Sequence, residues 1–142
     1  MKKGLKDGTI DVIASDHAPH LESEKDIEFD KAPFGMIGLE TALGIAVSEL
    51  ISTKILTWSE LIEKLSLNPA QVLGVERGTL SEGARADITI IDPEREWVYK
   101  KEEIESKSAN SPFIGWKLKG LATDVIIDGR IVMKDTQILK DS

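Results

Sequence analysis

The first 75 residues hold one strand pattern and then only helices. Ile10-Asp11-Val12-Ile13-Ala14 is short and β-branched, and Asp7-Gly8 before it is a turn signal. Between residues 39 and 51, Leu39, Ala42, Leu43, Ala46, Val47, Leu50 and Ile51 recur at i, i+3, i+4 and i+7, the spacing of a helix with one buried face. Thr57-Trp58-Ser59-Glu60 is a capping box, opening a helix whose apolar face is Trp58, Leu61, Ile62 and Leu65. Asn68-Pro69 predicts an N-cap and a proline at the first position of a further short helix, which runs to Leu73 and which Gly74 can close. A parallel strand needs partners on its edges. One strand followed by amphipathic helices therefore suits the last unit of a parallel α/β structure, with its neighbours outside this stretch.

The character changes after Val75, where Gly78, Gly83 and alternating polar residues replace the helical period. Residues 87–91 read as a strand that Asp92-Pro93 breaks, residues 96–99 as a second strand, and residues 101–106 as a turn or short helix. Val125-Ile126-Ile127, Asp128-Gly129 and Arg130-Ile131-Val132-Met133 predict a hairpin, because Asp-Gly favours the two-residue turn whose positive φ angles match strand twist. The expected organisation is a βα piece over 1–75 and a small β module over 76–142. With an unpaired strand and an open module, the chain is expected to dimerise, swap or aggregate.

Composition narrows the function. Eighteen basic against 25 acidic residues leave a net charge of −7 over 142 residues, which argues against a nucleic-acid partner. Cysteine is absent, so disulfides, thiolate metal sites and a cysteine nucleophile are excluded, in keeping with a cytoplasmic location. No apolar run approaches a membrane span, and no signal peptide is expected behind Met1-Lys2-Lys3-Gly4.

The stretch that carries chemistry is Asp16-His17-Ala18-Pro19-His20, which holds both histidines of the chain. It follows the predicted strand directly and precedes residues 21–35, read as a loop. In α/β barrels that end of a strand carries the active site. A carboxylate there can bind a divalent metal and shuttle a proton, and imidazoles can bind metal, anion or substrate. The same residues can also do no more than cap a loop or a helix N-terminus. For Pro33-Phe34-Gly35, the residues alone favour a plain turn with a buried phenylalanine. Trp58, Trp97 and Trp116 read as packing residues, and Lys100-Lys101-Glu102-Glu103 as a solvated face.

Val12-Ile13-Ala14-Ser15-Asp16-His17-Ala18-Pro19-His20 resembles the last active-site strand of dihydroorotases of the bacterial class I type. The stretch from Lys31-Ala32-Pro33-Phe34-Gly35 through Gly38-Leu39-Glu40-Thr41-Ala42-Leu43 is similar to that family's substrate loop and following helix. Asn68-Pro69-Ala70, Gly78-Thr79-Leu80, Gly83 and Ala86-Asp87-Ile88 resemble the passage into the composite β domain of the cyclic amidohydrolases. Ser111-Pro112-Phe113 and the Asp128-Gly129 hairpin resemble its closing strands.

The resemblance implies an α/β fold: the C-terminal end of an amidohydrolase (β/α)8 TIM barrel plus the C-terminal strands of a composite β-sandwich domain. It implies a reversible, zinc-dependent conversion between L-dihydroorotate and N-carbamoyl-L-aspartate in pyrimidine synthesis, with a binuclear Zn2+ site in the complete enzyme. Asp16 would be metal ligand and general acid/base, His20 would bind the substrate carboxylate, and Phe34 and Gly35 would meet substrate through their backbone. His17 reads as structural. A homo-oligomer and an association with aspartate transcarbamoylase are the partners the family suggests. A complete barrel takes about 250 residues, and the family's His-x-His motif, bridging ligand and further histidines are not in this chain. Asp16 would be its only metal ligand, where a catalytic zinc takes three from protein. The chain alone is therefore expected to be inactive, either as a fragment of an ordinary dihydroorotase or as a non-catalytic, dihydroorotase-like scaffold subunit. An allantoinase- or hydantoinase-like cyclic amidase is the further alternative.

Overall fold

A computed structural model describes residues 1–139. A short helix α1 (Lys2–Lys6) leads into the segment 10–14, and α2 (Glu22–Lys25) lies within the long loop that follows. Helix α3 (Leu39–Ala46) continues as a π-helical turn, Val47–Ile51. Helix α4 (Trp58–Ile62) continues through a second π-turn, Glu63–Leu67, into α5 (Asn68–Leu73). Strands β1 (Ile88–Val98), β2 (Lys117–Ile127), β3 (Arg130–Lys134) and β4 (Gln137–Ile138) then form one antiparallel sheet in the order β1-β2-β3-β4.

The segment 10–14 is not in a ladder, contrary to expectation, because no other strand among the described residues lies beside it. The second π-turn takes over part of a neighbour's work. The Ile13 amide donates to the Lys64 carbonyl (3.0 Å), the buried Lys64 ammonium donates to the Ile10 carbonyl (2.6 Å), and the Asn68 amide donates to the Asp11 carbonyl (2.9 Å). Asn68 is thus no N-cap. The helix runs through it, with the Asn68 N–H reaching back to the Glu63 carbonyl. The wider π spacing falls just before Pro69, which has no N–H to give to the preceding turn. The capping box is as predicted: Glu60 N–H donates to Thr57 Oγ1 (3.4 Å), and Thr57 N–H to Glu60 Oε2 (2.7 Å). Gly74 closes α5 in the left-handed conformation, at φ 66°.

The helical core is Ala46, Val47, Leu50, Leu56 and Leu61, with Ile13, Leu43, Ile51, Trp58 and Leu65 packed around it. The apolar stripe of α3 is narrower than its spacing suggests, since Leu39 is exposed and Gly44 is buried instead. Gly44 is buried by the sheet. A Cβ on Gly44 would stand 2.8 Å from Trp97 Cζ2 and 3.2 Å from Leu118 Cβ, and one on Gly120 (φ 83°) 2.7 Å from Val47 Cγ2. Backbones at both positions approach too closely for a side chain.

Asp92-Pro93 does not end a strand. It makes a bulge inside β1, where the register against β2 shifts between Asp92 and Glu96 and Asp92 Oδ1 accepts the N–H groups of Glu94 and Arg95. Ser111-Pro112-Phe113 lies in a turn before β2 and not in a closing strand. The Asp128-Gly129 turn has φ 54° and 77°, as a two-residue hairpin requires.

That hairpin is tied down by Asp87. Its Oδ1 accepts the Asp128 N–H at 2.7 Å, and its Oδ2 faces Arg77 Nε at 3.0 Å and Arg85 Nε at 3.5 Å. The Asp128 amide, with Arg85 and Arg77 behind it, holds the Asp87 carboxyl below the usual carboxylate range. A pKa lower in the folded than in the unfolded chain stabilises the fold above the ordinary carboxylate range, and the effect disappears as pH falls through the folded value. Asp87→Asn is therefore expected to lower the thermal midpoint at pH 7, with the gap to wild type closing on acidification. Melting curves from pH 7 down to pH 2 check this.

Candidate functional site: a cleft at the Asp16 loop

Directly after the segment 10–14 the backbone turns sharply. Asp16 sits at φ 46°, a conformation that aspartate tolerates better than most residues. Strain of this kind at a non-glycine residue recurs at functional sites. The next residue, His17, faces the start of α3, where its Nδ1 accepts the N–H groups of Gly38 (3.1 Å) and Leu39 (3.4 Å). Two acceptor contacts at Nδ1 place the neutral ring's proton on Nε2. Gly38 offers no side-chain cap, so His17 satisfies amides that the helix start leaves open. Its role is structural.

His20 and Phe34 meet each other. The His20 Nε2 lies 2.8 Å from the Phe34 carbonyl oxygen, while its Nδ1 is 3.6 Å from Glu24 Oε2, an ion pair only when the ring is protonated. The Phe34 side chain is 97% exposed, so the simple turn with a buried phenylalanine is overturned. Gly35 is at φ 126°, and a Cβ there would stand 2.8 Å from the Ala18 Cβ and 3.0 Å from His20 Nε2. Only a glycine lets the two arms of the loop close this far.

The loop 21–35 is less irregular than its composition suggests. It contains α2, whose last residue, Lys25, donates its ammonium to the carbonyls of Pro33 (2.7 Å) and Gly35 (3.2 Å). From far along the chain, Asn110 completes the arrangement. Its Nδ2 donates to the carbonyls of Gly35 (3.2 Å) and Ala18 (3.5 Å), its Oδ1 accepts the His20 N–H (3.4 Å), and its own carbonyl accepts the Ile37 N–H (3.1 Å). Ser108 Oγ lies within hydrogen-bond reach of the His20 carbonyl and of Asn110 Oδ1, with one proton to donate to either. A parallel bridge between His17 and Met36, with the Ala18 N–H donating to the Met36 carbonyl (2.8 Å), joins the two arms.

These contacts frame a cleft of about 540 Å³ lined by Asp16, Lys25, Gly35, Met36, Asn110 and Pro112. Of the predicted site residues, Asp16 and Gly35 line it, whereas His20 and Phe34 are bonded to each other and do not. Lys25, Ser108 and Asn110 were missed. Lys25 reads as one charge in a polar loop, and nothing local links Asn110 to partners 73 to 92 positions away. Among the described residues no three His, Cys, Asp or Glu side chains come together to hold a metal ion. Asp16 is a fitting single ligand for a hard or borderline cation, but no other side chain among the described residues joins it to complete a zinc site.

Residues 1–132 match the amidohydrolase family, and the chain belongs to it. Curated relatives narrow the likeness. The chain is 54% identical over 138 residues to a dihydroorotase of Pelotomaculum thermopropionicum, covering 97% of this chain and 32% of that one. It is likewise 54% identical over 134 residues to a dihydroorotase of Geotalea daltonii, covering 94% and 31%. It thus spans about a third of the length of these relatives. Among solved structures it superposes on an L-hydantoinase (dihydropyrimidinase) from Arthrobacter aurescens with a TM-score of 0.91 at 28% identity, covering 98% of this chain and 32% of that one. A dihydropyrimidinase from Brevibacillus agri gives 0.91 at 25% identity, covering 97% and 31%. The fold is the expected one: a mixed α/β portion of the amidohydrolase barrel with strands of its β domain.

Asn110→Asp keeps the acceptor that serves His20 and Ser108 but sets a carboxylate against the Gly35 and Ala18 carbonyls. It is expected to destabilise the chain by about 1–3 kcal/mol, the usual cost of leaving buried polar groups unmatched. Denaturant melts check the loss. Amide exchange of Ile37 and Ala18 should rise ahead of that of the sheet.

Proposed function

We propose that this chain supplies the Asp16 end of a dihydroorotase, an enzyme that interconverts L-dihydroorotate and N-carbamoyl-L-aspartate in pyrimidine synthesis. The observation that carries the reading is the 54% identity to dihydroorotases, over nearly the whole chain, in a chain whose Asp16 and Gly35 line one cleft. The hydantoinases and dihydropyrimidinases found among solved structures are less similar in sequence, at 21–28%, so a hydantoinase- or allantoinase-like activity takes second place.

In the ring-opening direction, water adds to the ring carbonyl and the C–N bond breaks. Asp16 is exposed, lines the cleft and can accept the proton from the attacking water and return it to the leaving nitrogen. Gly35 brings main chain to the cleft surface without a side chain in the way. For His20 to reach a substrate carboxylate, its Nε2–H must leave the Phe34 carbonyl for the ligand. The zinc expected from the resemblance requires ligands beyond Asp16, and the complete enzyme would have to supply them.

A cytoplasmic location, a homo-oligomer and an association with aspartate transcarbamoylase belong to the same proposal. Among the described residues no helix is long and apolar enough to cross a membrane.

The test is a side-by-side assay on dihydroorotate, hydantoin and allantoin with the protein at its native mass. Turnover of dihydroorotate alone, abolished in Asp16→Asn, is the expected result, and turnover of the other rings instead would overturn the reading. The 142-residue chain by itself is expected to give no turnover, and zinc-dependent activity from a preparation of verified mass would refute that. Light scattering on the same 142-residue preparation is expected to show dimers or larger species, since the segment 10–14 has no strand partner in the described residues. A stable monomer would count against it.

A further inference from the structure

We propose that Glu40 is a positioning residue of the Asp16 cleft, the clamp that sets the distant Asn110 against the two arms of the Asp16 loop. The inference rests on the reading of this cleft as a substrate site and deepens it by naming a group outside the cleft on which its geometry depends. Glu40 is the second residue of α3, half-buried, and does not line the cleft. Its Oε1 accepts the Ser106 N–H (3.0 Å) and its Oε2 the Glu105 N–H (3.3 Å). A carboxylate can take two consecutive amides in this way because neither of its oxygens carries a proton.

Both amides belong to the irregular chain between β1 and β2. The base of that stretch is closed at the sheet, where the Tyr99 N–H donates to the Trp116 carbonyl (3.0 Å) and the Gly115 N–H to the Tyr99 carbonyl (2.7 Å). Glu40 grips it farther out, just ahead of Ser108 and Asn110. The bonds that the Asn110 side chain makes to Gly35, Ala18 and His20 measure 3.2, 3.5 and 3.4 Å. These lie at or beyond the long end of the usual range, so they depend on how the chain delivers Asn110. The start of α3 is itself fixed by His17, whose Nδ1 accepts the Gly38 and Leu39 N–H groups. The contacts close a circuit. It runs from His17 to the start of α3, through Glu40 to residues 105 and 106, on to Asn110, and back to Ala18 and His20. Asp16 adjoins this circuit at His17, and Gly35 and Asn110 belong both to it and to the cleft wall.

Glu40→Gln in the protein at its native mass tests this, since glutamine can accept one of the two amides and sets its NH2 group against the other. Hydrogen–deuterium exchange is expected to quicken by about tenfold in residues 105–110, the scale of one charge-assisted hydrogen bond. It should also quicken in residues 17–20 and 35–38, while β2 and α4 stay unchanged. For dihydroorotate, kcat/KM is expected to fall by about ten- to a hundredfold, the effect of a misplacement of up to about 1 Å set off away from the chemistry. In an Asn110→Ala background the same substitution should change kcat/KM by no more than about twofold, because the two residues act in series. Faster exchange confined to 105–110, faster exchange that spreads to β2, or a full loss of kcat/KM in the Asn110→Ala background overturns the assignment and leaves the proposed function standing. A wild type that does not turn over dihydroorotate removes the proposed function, and the exchange pattern then decides by itself whether Glu40 sets Asn110 in the cleft.

Discussion

The close approach of the helical unit to strand β2 is what the rest of the molecule depends on. Val47 lies where a side chain on Gly120 would have to be, and Trp97 and Leu118 press on Gly44. These contacts dock the sheet onto the continuous turn of α3. The Trp97 indole donates to the Gly120 carbonyl (3.1 Å), and Ser48 Oγ accepts the Lys119 N–H (2.9 Å), so polar groups fix the seam as well. The docking has a consequence beyond stability. It holds the ends of the irregular chain between β1 and β2, and that stretch carries Ser108 and Asn110 to the Asp16 loop.

The site is built from irregular backbone, and its order comes from polar side chains that bridge main-chain groups. Asn110 uses both ends of its amide, and Lys25 and Asn110 share the Gly35 carbonyl. Such an arrangement is costly when incomplete, because each unmatched carbonyl or amide loses a hydrogen bond that water would otherwise supply. The left-handed Asp16 and the glycine at φ 126° are tolerated within the same framework. The loop therefore presents Asp16, Lys25 and Gly35 to one cleft while leaving the Phe34 ring in solvent.

The likeness to dihydroorotases and the superposition on hydantoinases describe the same third of a larger architecture. Within that third the chain folds its own helical core and its own sheet, yet the segment 10–14 is held by a helix turn and not by strands. The second π-turn matters here. Its altered spacing leaves the Lys64 carbonyl to receive Ile13 while the Lys64 side chain reaches Ile10. One buried lysine thus secures the segment that leads to Asp16.

Local chemistry determined much of this protein directly from its sequence. The capping box at Thr57 and Glu60, the left-handed stop at Gly74 and the Asp128-Gly129 turn depend on residues a few positions apart, and all three are found as read. The motif 16–20 marked the Asp16 end of the cleft for the same reason. Tertiary structure decided what depends on distant neighbours. The bulge at Asp92-Pro93 persists because β2 pairs with β1 on both sides of it. The helix continues through Asn68 because the π spacing accommodates Pro69 and the Asn68 side chain finds the Asp11 carbonyl. Gly44 is buried because the sheet covers one flank of α3. Asn110 enters the site from 90 residues beyond His20 because the docked sheet puts it there, and no periodicity or local motif encodes that meeting.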